Sequence, residues 1–345
     1  MCGNKNAILE NEQFLLYTVW ITTACNYKCT YCYEGLDKKQ AVMKQDTIEK
    51  MASFIEKQCS EKEIYTVWLD FHGGEPLLCY EEIKSVTNRL RFSRIVKKVH
   101  TSLTTNGFSY HDDISKYIDE LTVSIDGTKE THNLFRIDML GRETFDTTFS
   151  NAKKYQKYYS DLRVRMVVAP QNVNKLYEGV VFLLEEGFNV IIPGVDYYSK
   201  SWNEELFEIL YYQLERIEIY RKKHIEHYTM IGLLDTRLRK KSRCIIGGDG
   251  FQIDPQGDIY PCIVTVGNPM YYLGNVEDGI DNSRIADIQC KLVGNIEKCD
   301  GCANYNYCTA NRCVFINESI TGDLFSPSEN MCKTEQIVLR LKGLL

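Results

Sequence analysis

One short segment constrains this chain more than any other: residues 25–32, with the sequence CNYKCTYC. Three residues separate Cys25 from Cys29 and two separate Cys29 from Cys32, so three thiolates can converge on one inorganic centre. A closed zinc site takes four ligands, and the 25 residues after Cys32 contain neither cysteine nor histidine. A cubane iron–sulfur cluster normally takes four thiolates, so three would leave one iron open to a substrate. A zinc loop with a distant ligand and three unrelated core thiols are the alternatives.

The composition limits the class of protein. A chain of 345 residues is long enough for a catalytic domain plus a smaller one. Its net charge of −6 argues against nucleic acid as a partner. No apolar run reaches the roughly 18 residues of a membrane span, and the N-terminus lacks the apolar segment of a secretion signal. The 14 cysteines, grouped at short spacings, therefore indicate metal ligation in a reducing cytoplasm rather than disulfides.

Strand and helix patterns alternate through the first two thirds of the chain. Strands are predicted at 14–24, 66–71, 99–105, 120–125, 163–169 and 188–195, and helices at 46–58, 79–92, 111–117, 144–159, 174–186 and 203–226. This alternation predicts six parallel strand–helix units, fewer than the eight of a closed barrel. Chemistry is expected at the C-terminal ends of the strands, where the cysteine loop and the HGGEP, TTNG and SIDG turns lie.

The Cys-x3-Cys-x2-Cys spacing, with the aromatic Tyr31 before the last cysteine, resembles the signature of the radical S-adenosylmethionine (SAM) enzymes. In that family the three cysteines hold a 4Fe–4S cluster whose open iron chelates SAM. The resemblance implies an α/β fold, a partial (β/α)6 TIM-like barrel open on one side. It also implies SAM as cofactor, its reductive cleavage to a 5′-deoxyadenosyl radical, and a reductase such as flavodoxin or ferredoxin as partner.

The turn after the second strand resembles the GGE motif of the same family. It contains Gly73, Gly74, Glu75 and Pro76. In the family this glutamate and the neighbouring backbone bind the SAM ammonium. The physics agrees, since a carboxylate pairs with a cation and glycine permits close approach of the backbone. Read alone, the segment is also typical of an ordinary glycine-containing turn.

Further residues at later strand ends resemble SAM contacts. Ser124 and Asp126 match ribose-contacting positions, and Asn106 is either a further contact or a turn former. Arg136 either neutralises the SAM carboxylate or belongs to a surface ion pair.

The composition changes near residue 240, after which short segments rich in Gly, Asp, Asn and Cys follow. Read alone, the Cys-x2-Cys pair of this tail, Cys299 and Cys302, is also typical of a zinc ribbon. Beside the radical SAM signature, the tail resembles the SPASM domain, which holds two auxiliary 4Fe–4S clusters and would bring the total to three. By that resemblance the outer cluster takes Cys299, Cys302, Cys308 and Cys332, and the inner one takes Cys244, Cys262 and Cys313.

Two departures from the SPASM pattern stand in the tail. Four residues rather than three separate Cys308 from Cys313, and the stretch after Cys244 lacks the additional cysteine of sulfatase-maturating members. By the resemblance the inner cluster is thus left with three ligands. Cys290, in a separate loop, is the candidate fourth ligand; the alternatives are a swap of ligands permitted by the one-residue insertion and an open iron. The expected division is an N-terminal extension (1–13), a radical SAM partial barrel (14–240) and a small cysteine-rich SPASM domain (241–345).

SPASM proteins mostly act on peptides and proteins, which implies a peptide or protein substrate containing cysteine. An open iron on the inner cluster can bind a substrate thiolate, so the predicted function is a peptide maturase that forms a thioether. Sulfatase maturation, carbon–carbon crosslinking or decarboxylation of a peptide, and a zinc or electron-transfer protein without a substrate are the alternatives. Asp196 and Asp235, near the expected mouth of the barrel, are the candidates for a base.

Overall fold

The computed structural model describes residues 13–35, 40–225, 227–235, 250–294 and 296–343. At its centre, six strands pair in parallel, each with the next along the chain. They are β1 (Leu15–Thr22), β2 (Thr66–Gly73), β3 (Lys98–Thr105), β4 (Glu120–Ser124), β5 (Arg163–Val168) and β6 (Val190–Val195). A two-residue strand, β7 (Met230–Ile231), extends the sheet beyond β6. All six strands predicted from the sequence are present.

Helices connect the strands. They are α1 (Gln45–Lys62), α2 (Tyr80–Arg91), α3 (Lys129–Phe135), α4 (Phe145–Tyr155), α5 (Leu176–Glu185), α6 (Glu204–His224) and α7 (Gly232–Asp235). The helix predicted at 111–117 is wrong, since only the short 3-10 turn Ile114–Lys116 forms there. The chain must already turn into β4, and the N–H of Asp119 bonds to Thr101 O. The seven-residue α3 was not predicted because it lacks an apolar period.

The two faces of the strands differ in polarity. In β5, Val164, Met166 and Val168 are buried in the hydrophobic core, whereas Arg163 and Arg165 alternate with them on the other face. Alternation of side chains along a strand puts these arginines inside the partial barrel. The face of β5 that lines the interior of the barrel is therefore polar.

The tail adds a second set of elements. They are β8 (Gly250–Ile253), β9 (Asp258–Tyr260), β10 (Gly274–Asn275), β11 (Gly279–Ile280), α8 (Asn282–Lys291), α9 (Val314–Thr321) and α10 (Glu329–Leu341). Strand β8 pairs in parallel with β1, and β9 to β11 follow antiparallel, so one sheet has the order β11-β10-β9-β8-β1-β2-β3-β4-β5-β6-β7. This open order in the described chain confirms a partial barrel. The predicted domain boundary near residue 240 falls outside the described residues.

The tail contacts both sides of the opening between β1 and β6. At one side β8 extends β1. At the other, Arg340 of α10 pairs with Glu208 of α6 at 2.9 Å, and Asn330 Nδ2 donates to Tyr197 O at 3.1 Å in the loop after β6. The tail thus bridges the open side of the barrel. No helix of the described ranges has the length and apolarity to cross a membrane.

Candidate active site

The cluster loop, residues 23–32, leaves the C-terminal end of β1. A turn brings Cys32 N to Cys29 O at 3.1 Å, and Tyr27 N donates to Cys25 Sγ at 3.4 Å. Burial raises the pKa of Cys29 to about 11. The positive charge of Arg136 lowers this pKa, whereas the charges of Cys25 and Cys32 raise it. The sulfur atom of Cys29 therefore lies within electrostatic reach of those of Cys25 and Cys32. A bound metal centre supplies the positive charge that keeps such a thiol deprotonated.

The two glycines of the GGE turn approach the start of the cluster loop. A Cβ on Gly73, whose φ is +128°, would lie 1.9 Å from Thr22 O, and one on Gly74 would lie 2.2 Å from Ala24 O. The N–H groups of Gly74 and Glu75 donate to Thr22 O at 3.0 Å and Ala24 O at 2.8 Å. The close approach that requires glycine is thus to the peptide leading into Cys25. Pro76 follows as the first residue of a 3-10 turn.

The carboxylate of Glu75 is buried, with 1% of the residue exposed. It accepts hydrogen bonds from Leu77 N at 3.0 Å, Thr105 Oγ1 at 2.7 Å and Asn106 N at 2.6 Å. Burial raises its pKa to about 7 against these three neutral donors. A buried carboxylate without a cation is costly, and Glu75 forms no ion pair within the described part of the chain. The site therefore fits an ammonium group such as that of SAM.

Asp126, Arg136 and Tyr31 form a buried group. Arg136 Nε and Nη2 donate to the two oxygens of Asp126 at 2.9 and 3.2 Å, Val167 N donates at 2.9 Å, and the Tyr31 hydroxyl also donates to Asp126. The side chains of Arg136 and Asp126 are 8% and 0% exposed, so the alternative of a surface ion pair is wrong. A ribose contact from Asp126 would have to share an oxygen that already accepts two bonds. In this arrangement the pair anchors the cluster loop.

Asn106 forms a turn, as one of its two expected roles requires, and also contacts the cluster loop. Its Oδ1 accepts from Phe108 N at 2.9 Å as in a turn, and its Nδ2 donates to Asn26 Oδ1 at 2.8 Å in the cluster loop. The Nδ2 of Asn26 is buried and has no hydrogen-bond partner among the described residues, so it is a donor available to a bound group. Sequence reasoning missed Asn26, although its position inside the cysteine motif marked it. Ser124 is buried at the end of β4, opposite Arg165 in the strand register.

Asp196 lies where the sequence predicted it, directly after the C-terminal end of β6. Its N–H donates to Val168 O at 2.8 Å, and its carboxylate accepts from Tyr198 N at 3.1 Å. The side chain is partly buried, and burial raises the pKa of its carboxyl group above the usual range. A carboxylate at the mouth with a raised pKa is suited to accept a proton.

The expectation for Asp235 is wrong. Its carboxylate pairs with Arg221 at 2.6 Å and accepts from Ile231 N at 2.7 Å. Because Ile231 pairs with Ile191 near the start of β6, Asp235 lies toward the N-terminal end of the strands rather than at the mouth. An ion pair with the last turn of α6 accounts for its position.

Cys332 lies within electrostatic range of each of the other three cysteines predicted for the outer cluster, Cys299, Cys302 and Cys308. Burial raises the pKa of Cys299, and the nearby charges of Cys302 and Cys332 raise it further. Burial also raises the pKa of Cys308 to about 11, and the charge of Cys332 contributes to that rise. A cubane spreads its thiolates over four irons, which separates them more than a single ion does. No three His, Cys, Asp or Glu side chains of the described ranges are gathered closely enough for a single ion.

The cysteines predicted for the inner cluster are described in part. Cys262 precedes the 3-10 turn Ile263–Thr265, and Cys313 precedes α9, which contacts that turn. Cys244 lies outside the described residues. Cys290 is exposed on α8.

Comparison with known proteins bears on this arrangement. Residues 19–184 match the family model of the radical SAM superfamily. The chain contains a radical SAM domain. It is therefore an enzyme, and the cluster loop and the GGE turn both lie within the matched residues.

The curated relatives include a cysteine-type anaerobic sulfatase-maturating enzyme of Clostridium perfringens, which is 27% identical over 292 residues, 74% of this chain and 76% of that protein. Among solved structures, histidine-tagged anSMEcpe with bound AdoMet has a TM-score of 0.78 at 20% identity and covers 96% of this chain and 97% of its own. Native anSMEcpe with bound AdoMet and Cp18Cys peptide has a TM-score of 0.77, also at 20% identity, and covers 96% and 99%. The structural likeness shows that the fold, including the tail, is shared.

Proposed function

We propose that the protein is a radical SAM maturase that oxidises a cysteine of a peptide or protein substrate to formylglycine. The observation that carries this is the match, along 74% of the chain, to a cysteine-type sulfatase-maturating enzyme. It favours the sulfatase-type alternative over thioether formation. The missing additional cysteine, which had counted against that alternative, concerns one ligand of the inner cluster and does not alter the SAM site.

The residues at the barrel mouth fit the groups that this reaction needs. Cys25, Cys29 and Cys32 would hold a 4Fe–4S cluster, and the buried carboxylate of Glu75 would pair with the ammonium of SAM. When bound, SAM and the clusters supply the one-electron chemistry, namely reductive cleavage to a 5′-deoxyadenosyl radical and uptake of the surplus electron. A flavodoxin or ferredoxin is the partner that would deliver the first electron.

Oxidation of a cysteine side chain to the thioaldehyde level removes a hydrogen atom from Cβ, a proton from sulfur and one electron. Asp196 is placed to take the proton, because it lies at the C-terminal end of β6 with a pKa that burial raises. Addition of water and loss of hydrogen sulfide then complete the conversion to formylglycine. The polar face of β5, which carries Arg163 and Arg165, would line the space for the substrate segment.

The tail fits a pair of auxiliary clusters, which gives three 4Fe–4S clusters in all. Cys299, Cys302, Cys308 and Cys332 would hold the outer one, which the electrostatic interaction of Cys332 with each of the other three supports. Cys262 and Cys313, on neighbouring turns, would hold the inner one with Cys244.

The test is mass spectrometry of synthetic peptides after incubation with reconstituted protein, SAM and a strong reductant. The probes are three matched peptide libraries whose fixed central residue is cysteine, serine or alanine. We expect the cysteine library to lose sulfur and gain an aldehyde that reacts with a hydrazide, while the alanine library stays unchanged. A product that keeps its sulfur, loses two hydrogens and does not react with the hydrazide would instead support thioether formation and overturn this proposal.

A further inference from the structure

A buried ion pair lies directly beneath the cluster loop. Asp126 follows β4 and Arg136 follows α3, and their side chains meet at 2.9 Å with 0% and 8% exposure. The guanidinium carbon of Arg136 lies 5.3 Å from the centre of the Tyr31 ring, and the Tyr31 hydroxyl donates to Asp126. Within the protein interior such charges are weakly screened, so their effect on a neighbouring group is large.

The backbone fixes this pair opposite Cys29. The carbonyl oxygens on either side of Arg136, those of Phe135 and Ile137, accept from Thr30 N at 3.1 Å and Lys28 N at 2.9 Å. These two donors are the residues on either side of Cys29. The arginine and the middle cysteine of the motif are therefore held face to face by two hydrogen bonds.

The two members of the ion pair, Arg136 and Asp126, both lie within electrostatic range of Cys29, and their charges act on it with opposite signs. The ring of His132, whose Nδ1 lies 3.5 Å from Asp126 N, adds no charge because burial lowers its pKa to about 3. The cation and the anion of this 2.9 Å pair therefore oppose each other at the cluster loop.

We infer that Asp126 keeps the reduction potential of the cluster at Cys25, Cys29 and Cys32 low by cancelling the charge of Arg136. Reduction adds an electron to a cluster, so an uncompensated cation beside it stabilises the reduced form and raises the potential. Cleavage of SAM requires a strongly reducing cluster, and the carboxylate preserves that property while Arg136 anchors the loop. The inference rests on the proposed cluster site.

The experiment is an EPR redox titration of the full-length reconstituted protein, without SAM, following the signal that changes when SAM is added. We expect Asp126→Asn to shift the midpoint potential to less negative values. The double variant Asp126→Asn/Arg136→Gln should return to the wild-type potential, and Arg136→Gln alone should not become less negative. An unchanged potential in Asp126→Asn, or a double variant that keeps the single variant's shift, would overturn the inference.

Two controls separate charge from structure. Tyr31→Phe removes a hydrogen bond to Asp126 without changing charge and should shift the potential less than Asp126→Asn. Glu56→Gln breaks a pair with Arg89, 2.9 Å apart on α1 and α2, and should not shift it.

Assembly of the cluster is tested separately. If Asp126→Asn loses its iron, Asp126→Ser is titrated in its place. Loss of iron by both, with retention by Asp126→Glu, would assign the pair a purely structural role and refute the inference. A SAM-responsive signal that survives replacement of the three motif cysteines would instead refute the proposed cluster site.

Discussion

The cluster loop and the cysteine-rich tail both gather thiols, but the rest of the chain supports them differently. Three cysteines of the loop lie within eight residues, and distant segments hold the loop in place. The GGE turn and residues 135–139 bond to its backbone, and Asp126 bonds to the side chain of Tyr31. The tail's cysteines are scattered from Cys244 to Cys332. Among the described residues, the separate buried cluster around Cys308 is small, with Ala310 and Met331 and the partly buried Tyr197, Cys313 and Ile316 packed against it. The loop is therefore organised before it binds a cluster, whereas bound clusters would themselves crosslink the tail.

The largest expected effect follows from replacing Cys25, Cys29 and Cys32 together with alanine. Deoxyadenosine formation should fall to background under strong chemical reductant, because the iron that binds SAM is lost. The thermal unfolding midpoint should change little, since protein contacts hold the loop. Chromatography of deoxyadenosine and iron analysis measure both, and a variant that still cleaves SAM would contradict the assignment.

Removal of a cysteine ligand in the tail should affect the local fold but not SAM cleavage, the reverse of the effect expected for the cluster loop. We expect about twelve irons in the wild type and about eight in Cys302→Ala, by the four-iron stoichiometry of each cluster. Residues 296–343 should become sensitive to protease, while SAM cleavage with a chemical reductant persists. Cys290→Ala is the matched control and should lose neither iron nor protection; a loss of iron there would identify Cys290 as a ligand.

Within the barrel, Glu75→Ala should weaken SAM binding. A charge-assisted hydrogen bond contributes about 1.5–3 kcal/mol, which corresponds to about one to two decades in affinity. Equilibrium dialysis against labelled SAM measures this, with Glu297→Ala in the exposed part of the tail as the control. Unchanged affinity would limit Glu75 to holding the turn.

The last expected effect concerns the pH dependence of stability. The folded protein raises the pKa of Glu75 from 4.5 to about 7, so between these values the folded state binds more protons than the unfolded state. Stability of the cluster-free protein should therefore fall as pH rises through this window, by up to about 3 kcal/mol from this residue. Urea titrations at several pH values should show that the free energy of unfolding of Glu75→Gln declines less steeply with rising pH than that of the wild type. A slope equal to that of the wild type would show that the carboxyl group ionises normally.

Local patterns in the sequence predicted much of the barrel but few of the long-range contacts that hold the cluster loop. The spacing of Cys25, Cys29 and Cys32 and the alternation of strands and helices are short-range properties. The contact between Tyr31 and Asp126 joins residues 95 positions apart, and no local pattern marks it. The position of Asp235 was predicted wrongly for a similar reason. Helix α6 and strand β7 turn the chain back, so that Asp235 lies beside Arg221.

The pairing of β8 with β1 has a consequence for the order of folding. Strand β1, with the largely apolar sequence LLYTVWIT, gains its second neighbour only after more than 200 further residues have been synthesised. Until then one edge of β1 exposes unpaired backbone groups, which is a known route to aggregation. Closing so long a loop is slow. A nascent chain that stops before residue 250 should therefore self-associate through β1, and completion of the tail protects the strand that leads to the first cysteine.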